Sequence, residues 1–478
     1  MALFDQVYID GAWQKADGET RALINPDTET QDATLICASS SACAAAVASA
    51  RSAFDAGWGR SDIATRRAAL ARIITEIEAR ADALASCIST EIGAPIDFAR
   101  TGQVAAGLAH LRATLAALET LTNDAPLTTA PDHRIRHEPL GVAALITPWN
   151  WPLNQVALKL GGAIAAGCTM VLKPSELSSR TAIILTEAIH AADLPPGVFN
   201  MITGAGDVGA ALISNPDVDV VSFTGSTATG RFIAAEAAQS MTRTTLELGG
   251  KSANLLFSDC DLPTAITQGL AHCFRNAGQS CNAATRMLVA RDIYNDALTL
   301  AAQIATQTEV NHPHLSGAHI GPQVSAAQFA KVQSFIETGV DQGARLVAGG
   351  PGRPDHLPQG FYSRPTVFAD VSPDMTLFQD EIFGPVLTMT PFDSEEEAIA
   401  LANATPYGLA GYIQTADAKR ADRVAQALRV GMVQINGQSR EAGAPFGGRG
   451  LSGYGREAGV WGIRAFQDIK SISGTAAF

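Results

Sequence analysis

From Gly141 onward the chain settles into short, continuously apolar runs separated by helical stretches. The first series is GVAALIT (141 to 147), TMVLK (169 to 173), VFNMIT (198 to 203), VVSFTG (220 to 225) and TTLELGG (244 to 250). A second series follows: NLLF (254 to 257), RMLVA (286 to 290), PVLTMTPF (385 to 392), GLAGYIQT (408 to 415) and GMVQIN (431 to 436), interleaved with helical patterns such as EEEAIALANA. Strands that are apolar along their whole length belong to a parallel sheet covered by helices on both faces. Two doubly wound α/β domains in tandem are therefore expected, and 478 residues with 46% hydrophobic side chains suffice to bury a core in each.

Ahead of this series, residues 8 to 36 read as short strands and turns, and 40 to 118 as Ala-rich helices. Leu70, Ile73, Ile74, Ile77, Ala81, Leu84 and Ile88 fall at three- and four-residue spacing, which predicts one apolar stripe on a single helix. The segment APLTTAPDHRIRHEPL (125 to 140) and the tail IKSISGTAAF read as strands far apart in sequence. Paired, they make a protruding β ribbon whose open edge would complete the sheet of another subunit.

A net charge of -13 argues against a nucleic-acid binder. The seven cysteines are scattered, with no CxxC pair and no Cys/His zinc spacing, so a reduced compartment and no structural metal are expected. The start MALFDQVYIDGAW lacks a basic region followed by a long apolar run, and no apolar stretch reaches membrane-spanning length. The expected location is the cytoplasm.

Against that background NAGQSC (276 to 281) stands out, because Cys281 lies just beyond a glycine turn. A nucleophilic thiolate wants backbone N–H groups, partial exposure and a base within reach. LELGGKS ends an apolar strand with Glu247, where burial raises a carboxyl pKa towards the range of a general base. PWNWP holds Asn150 in a rigid turn as an oxyanion donor, with the Cys281 N–H as a second. LKPSE closes the second strand with Lys173 and Glu176, where a carboxylate hydrogen-bonds ribose hydroxyls and disfavours a 2'-phosphate; an acidic residue at a helix N-terminus explains Glu176 equally well. SFTGST offers Gly225 and Ser226 to a pyrophosphate at a helix start, or Ser226 as a simple cap. GAGDVG (204 to 209) matches GxGxxG but sits at the third strand-helix turn without the carboxylate that follows a dinucleotide fingerprint, so a cofactor contact and a tight packing turn stay open.

PWNWP, KPSE, FTGS, ELGGKS, GQSC, EIFGPV (381 to 386) and PFGG (445 to 448), in this order, resemble the successive signatures of the NAD(P)-dependent aldehyde dehydrogenase superfamily, and the likeness extends from YIDGAW to GLSGYGREAG. The resemblance implies a fold of two doubly wound parallel-sheet domains, one Rossmann-like, plus an oligomerisation ribbon. It divides the chain into an NAD(P)-binding domain (1–118 and 140–249), a catalytic domain (250–447) and a ribbon (119–139 and 465–478). It makes Cys281 the nucleophile, Glu247 the base, Asn150 the oxyanion donor and Lys159 an accessory lysine below the site. Glu381 and Phe383 would hold the nicotinamide ribose and ring, and Lys173 and Glu176 the adenosine ribose. Ile146, Thr147, Pro148, Trp149, Ser175, Gly206, Gly209, Phe223, Gly225, Ser226, Leu248 and Gly249 complete the implied cofactor contacts. The cofactor is NAD, with NADP as the alternative, and the assembly a homodimer or homotetramer.

The implied reaction oxidises an aldehyde to a carboxylic acid through a thiohemiacetal and a thioester on Cys281, hydrolysed with Glu247 as base; relatives that pass the acyl group to coenzyme A lack that base. The substrate mouth implied by the resemblance comprises Trp151, Gln155, Leu158, Ser280, Asn282, Arg440 and Phe446. Ser280 and Asn282 depart from the bulkier or sulfur-bearing neighbours of many relatives. With Gln155, Gln438 and Arg440 the mouth suits an aldehyde with a polar or anionic end, unless Arg440 is merely solvated beside Glu441. The rival readings are a non-catalytic descendant on the same scaffold and a cofactor-independent esterase.

Overall fold

A computed structural model describes residues 2–474; Met1 and residues 475–478 of the expected ribbon lie outside the described residues. The five apolar runs of the first series become the strands Val142–Thr147, Thr169–Pro174, Phe199–Met201, Val220–Thr224 and Arg243–Glu247, adjacent and parallel in one sheet. The antiparallel hairpin Gln6–Ile9 and Ala12–Lys15 extends this sheet at one edge, and the two-residue strand Gly453–Tyr454 closes the other beside Glu247. Val142–Thr147 comes first in the parallel series and lies in its middle, so the chain steps outward to either side of it. That reversal opens a crevice at the carboxyl ends of the strands, where open α/β sheets bind ligands.

The second sheet has the order Arg345–Ala348, Thr366–Ala369, Val386–Phe392, Arg286–Ala290, Ala253–Leu256, Ala410–Gln414, Met432–Ile435. All its pairs are parallel except Arg345–Ala348 with Thr366–Ala369. These two strands add to those expected from the second series; each has four residues, too few to stand out by pattern. Only five residues join Glu247 to Ala253, so the carboxyl edge of the first sheet faces the amino edge of the second. The chemistry expected of Glu247 and Cys281 falls in that seam.

The apolar stripe from Leu70 to Ile88 is carried by two helices, Ile63–Glu78 and Ala81–Ile92, not by one. Arg80 folds back on the first of them, donating to the Glu76 carbonyl at 2.9 Å and to its carboxylate at 2.6 Å, and so ends it. Leu70, Ile73, Ile74, Ile77, Leu84 and Ile88 nevertheless share one buried core, which is why the spacing runs unbroken through the joint. A three-stranded antiparallel ribbon pairs Ala130–Pro139 with Asp124–Leu127 on one side and Gln467–Ser473 on the other. Among the described residues no helix is long and apolar enough to cross a membrane, and all seven cysteines are free thiols.

Candidate active site at the seam of the two sheets

The turn before Cys281 is bent against its preferences. Asn276, Ala277 and Gly278 take successive left-handed conformations with φ of 55°, 54° and 75°, which costs non-glycine residues free energy and survives only where the surroundings over-determine it. Gly278 has no alternative, since a Cβ there would stand 2.0 Å from the Gly384 carbonyl oxygen. Buried amides supply the over-determination. Gln279 donates to the Asn276 carbonyl at 3.0 Å and accepts from the Val324 N–H at 2.9 Å, and Gln323 donates to the Ala277 carbonyl at 3.1 Å. Gln103 reaches across to the Asn150 carbonyl at 3.0 Å, and Asn276 donates to that same oxygen at 2.8 Å. Asn150 is thereby clamped to the nucleophile turn, and one hydrogen of its Nδ2 goes to the Gln279 carbonyl at 3.0 Å, leaving the second to a ligand.

Pro148, Trp149, Asn150, Gly225, Ser226, Leu248, Gly249, Cys281, Glu381 and Phe383 line one cleft, together with Thr224, Gln328 and Lys331, which the sequence reading passes over. Trp149 and Phe383 meet edge to face, with centroids 5.5 Å apart. Glu381 accepts from the Gly250 N–H at 3.0 Å, and Gly249 leaves room for it, because a Cβ there would lie 2.4 Å from Glu381 Oε2. The Cys281 thiol is partly exposed at this cleft. Packing around the sulfur, then the Glu381 and Glu247 carboxylates, push its pKa up, against the Asn282 and Cys281 backbone N–H groups.

Glu247 is buried, and among the described residues neither of its carboxylate oxygens has a hydrogen-bond partner. Burial raises its pKa well above the usual carboxylate range and Glu457 adds to the rise, opposed by Lys159 and Arg456. Lys159 is fully buried and fixes this group of charges. It donates to Glu457 at 2.5 Å, to Thr224 Oγ1 at 2.8 Å and to Ser222 Oγ at 3.2 Å. Glu457 is a further residue missing from the sequence reading, visible there only as the one acid in the Gly-rich run GLSGYGREAG.

Several sequence expectations take a different local form. The Gly225 N–H donates to the Glu247 carbonyl at 3.0 Å, so this glycine lines the cleft without an amide to spare, and the Ser226 hydroxyl caps the helix Thr227–Ser240 through the Thr229 N–H. Lys173 sends its ammonium to the carbonyls of Pro174 at 3.0 Å and Gly204 at 2.7 Å, and Gly209 packs against its stem. GAGDVG is thus tied by Lys173 to the end of the second strand, while Gly206 faces open space. The Ser175 N–H bonds the Thr147 carbonyl at 2.9 Å, bringing Ser175 and Glu176 beside the first strand's end. Glu176 opens a 3-10 turn, Glu176–Ser178, ahead of the helix itself. Ile146, Phe223 and Leu248 belong to the core beneath.

At the mouth, Trp151 Nε1 donates to Ser280 Oγ at 2.9 Å and its ring meets Phe98 edge to face at 5.4 Å. Gln155 and Leu158 are buried on the helix Pro152–Ala166. Phe446 packs beside Cys281 against Tyr412 and Met432. Arg440 is half-buried and bonds the Glu441 and Ala444 carbonyls, rather than standing solvated beside the Glu441 carboxylate. Among the described residues no group of three His, Cys, Asp or Glu side chains is placed to hold a metal.

Comparison with known proteins agrees with this geometry. The profile of the aldehyde dehydrogenase family matches residues 13–472. A 3-succinoylsemialdehyde-pyridine dehydrogenase of a Pseudomonas species is 43% identical over 474 residues, 98% of each chain. The crystal structure of an aldehyde dehydrogenase from Bartonella henselae superposes with a TM-score of 0.98 at 44% identity, covering 99% of this chain and 100% of that one. A variant of aldehyde dehydrogenase C from Pseudomonas syringae, crystallised with NAD+ and octanal, superposes with a TM-score of 0.96 at 44% identity, covering 99% and 97%.

Proposed function

The chain belongs to the aldehyde dehydrogenase family, and on that premise we propose that Cys281 is the nucleophile with which it oxidises an aldehyde to a carboxylic acid using NAD. The observation that carries this assignment is the meeting of Cys281, Asn150 and Glu381 in one cleft, with the unpartnered Glu247 carboxylate buried at the seam behind it.

The cleft suits a dinucleotide. Trp149, Phe383 and Leu248 offer apolar surface, Glu381 a carboxylate for ribose hydroxyls, and the helix Thr227–Ser240 opens its first amides beside Ser226. Glu176, whose carboxylate accepts from the Ser175 hydroxyl at 3.5 Å, favours NAD over NADP at the adenosine end. NAD bound here supplies the hydride acceptor.

The protein's own groups do the rest. The Cys281 thiolate attacks the aldehyde carbon, and the new oxyanion meets the free hydrogen of Asn150 Nδ2 and the Cys281 N–H, donors already oriented before reaction. Loss of hydride leaves a thioester on Cys281. Glu247, deprotonated, takes a proton from the water that hydrolyses it, and its raised pKa makes it a stronger base than an ordinary carboxylate. Lys159 and Glu457 hold the charge balance around that carboxylate.

The Ser280 hydroxyl held by Trp151 Nε1 and the half-buried Arg440 guanidinium support an aldehyde carrying a polar or anionic end, as does the likeness to a relative named for a semialdehyde. The open edge strand Met432–Ile435 and the exposed Tyr454, Trp461 and Ile469 support a homo-oligomer, a dimer or tetramer, and the seven free thiols support a cytoplasmic location. The test is to follow reduced cofactor with NAD or NADP and a panel of aliphatic, aromatic and carboxylated aldehydes, alongside Cys281→Ala. Turnover abolished in the variant is the expected result; undiminished turnover in it would remove Cys281 from the chemistry.

A further inference from the structure

On the side of the nucleophile turn away from Asn150, two side chains grip the backbone that follows Cys281. His272 ends the helix Leu262–Phe274, and Tyr412 lies in the middle of the strand Ala410–Gln414. The Ala284 N–H donates to His272 Nδ1 at 3.2 Å. An amide N–H only donates, so Nδ1 is the bare nitrogen and the imidazole proton sits on Nε2. Nε2 faces the Tyr412 hydroxyl at 3.4 Å, and that hydroxyl donates to the Asn282 carbonyl at 2.7 Å. The rings lie 4.8 Å apart. The three contacts form a one-way chain: Ala284 N–H to His272, His272 Nε2–H to Tyr412, Tyr412 O–H to the Asn282 carbonyl. Burial, then Arg275, lowers the His272 pKa to about 4, so the chain keeps this direction at neutral pH. Burial, then Cys281, raises that of Tyr412.

The contacts hold the second and third peptides after the nucleophile, and Cys281 itself packs against the cluster containing Tyr412. His272 and Tyr412, together with Ala284, also line a cavity bordered by Asn254, Gln268, Gln414 and Gln434. We propose that His272 and Tyr412 are positioning residues for the reaction, holding the Asn282 carbonyl and the Ala284 N–H so that the strained turn aims the Cys281 thiol into the cleft. The inference rests on Cys281 being the nucleophile, and its test has a readout independent of turnover.

Tyr412→Phe keeps the ring and removes the grip. His272→Leu removes both of its contacts, whereas His272→Asn restores an acceptor for the Ala284 N–H through Oδ1. Three quantities decide: the single-turnover rate of cofactor reduction, KM for NAD, and the rate at which iodoacetamide labels Cys281, located by peptide mass. Loss of one hydrogen bond from a preorganised site predicts a fall of about tenfold in the single-turnover rate for Tyr412→Phe. KM for NAD should stay near the parent value, Cys281 labelling should change, and His272→Asn should recover most of what His272→Leu loses. Parent-like turnover and labelling in Tyr412→Phe, or a His272→Asn no better than His272→Leu, would overturn the proposal. Tyr412→Phe, nearly isosteric, decides the matter if His272→Leu does not fold. Labelling that changes with no turnover in any form, parent included, would instead sink the assignment of Cys281.

Discussion

The Asn150 side-chain nitrogen stands 3.0 Å from the Gln279 carbonyl, two residues ahead of Cys281, so the amide we assign to the oxyanion is anchored to the loop that carries the thiol. Donor and nucleophile are set by one bond and move together. Asn150→Ala should therefore lower kcat by about 10²- to 10³-fold, the usual cost of one oxyanion donor. Asn150→Asp should do worse, because a carboxylate there faces a carbonyl and a developing anion. Steady-state kinetics beside thermal unfolding separates this from collapse of the clamp, which would lower Tm as well as kcat.

Glu247 gives the rate its pH dependence. The carboxyl acts as base only when deprotonated, and burial with Glu457 nearby raises its pKa, so thioester hydrolysis should rise with pH through an inflection well above the ordinary carboxylate value. Glu247→Gln should erase that limb, slow turnover by about 10²- to 10⁴-fold and leave an acyl adduct on Cys281 that mass spectrometry detects after one burst of reduced cofactor. Glu457→Gln removes the like charge and should move the inflection to lower pH. A Glu247→Gln enzyme with an unchanged pH profile would exclude it as the base.

Burial, then the Glu381 and Glu247 carboxylates, push the Cys281 thiol pKa up. Only the thiolate reacts with iodoacetamide, so labelling of Cys281 should climb with pH into the alkaline range. Glu381→Gln should speed labelling at pH 7 by about tenfold, roughly the effect of one unit of pKa. The same variant should raise KM for NAD. Unaltered labelling would mean that burial and Glu247 set the thiol without Glu381.

Much of this was legible in the sequence, for a physical reason. Strands buried on both faces must be apolar throughout, so the two series of apolar runs were marked by composition alone; Glu247 stood out as a carboxylate costly to bury at the end of an apolar strand, Cys281 for following a glycine turn, and Asn150 for its rigid turn between prolines. What was hidden depends on contacts distant in sequence. Gln103 holds Asn150 from 47 residues away, and Glu457 reaches Lys159 across 298. Neither pairing leaves a local pattern. The break at Arg80 was invisible for the opposite reason: both helices feed one core, so the apolar spacing continues through it.

Outside the cleft, Glu91 couples stability to pH. Its carboxylate accepts from the Arg180 and Thr181 N–H groups at the start of the helix Ser179–Ala191, and from the Thr181 hydroxyl at 2.7 Å. Burial outweighs these bonds and raises its pKa from 4.5 to about 7. A raised folded-state pKa means that the native state holds the proton more tightly, so its stabilising contribution is full below the unfolded value and is lost as pH rises through the folded one. Between about pH 4.5 and 7 that loss amounts to about 3 kcal/mol. The urea midpoint of Glu91→Gln should fall less steeply than the parent's across this window; equal slopes would assign the dependence to other groups.

Arg440 is the side chain proposed to read an anionic end of the substrate. Its Nη1 bonds the Glu441 and Ala444 carbonyls at 3.0 and 2.5 Å, its Nη2 lies 3.4 Å from His110 Nε2, and its guanidinium carbon is 5.3 Å from the centre of the Phe446 ring. His110 Nδ1 lies 2.9 Å from the Ala442 carbonyl and so carries the imidazole proton, leaving Nε2 to accept from Arg440. Burial, then Arg440, lowers the His110 pKa to about 4, so no second cation forms there at neutral pH. Arg440 braces the loop while keeping its charge at the mouth. If that charge reads the substrate, Arg440→Ala should cut kcat/KM for a carboxylated semialdehyde about tenfold more than for an aliphatic aldehyde of equal length, roughly the worth of one charge-assisted hydrogen bond. Arg440→Lys, which keeps the charge but not the fork, should recover part of the difference. Equal losses on both aldehydes would leave Arg440 as a brace alone, and no loss on either would remove it from substrate recognition.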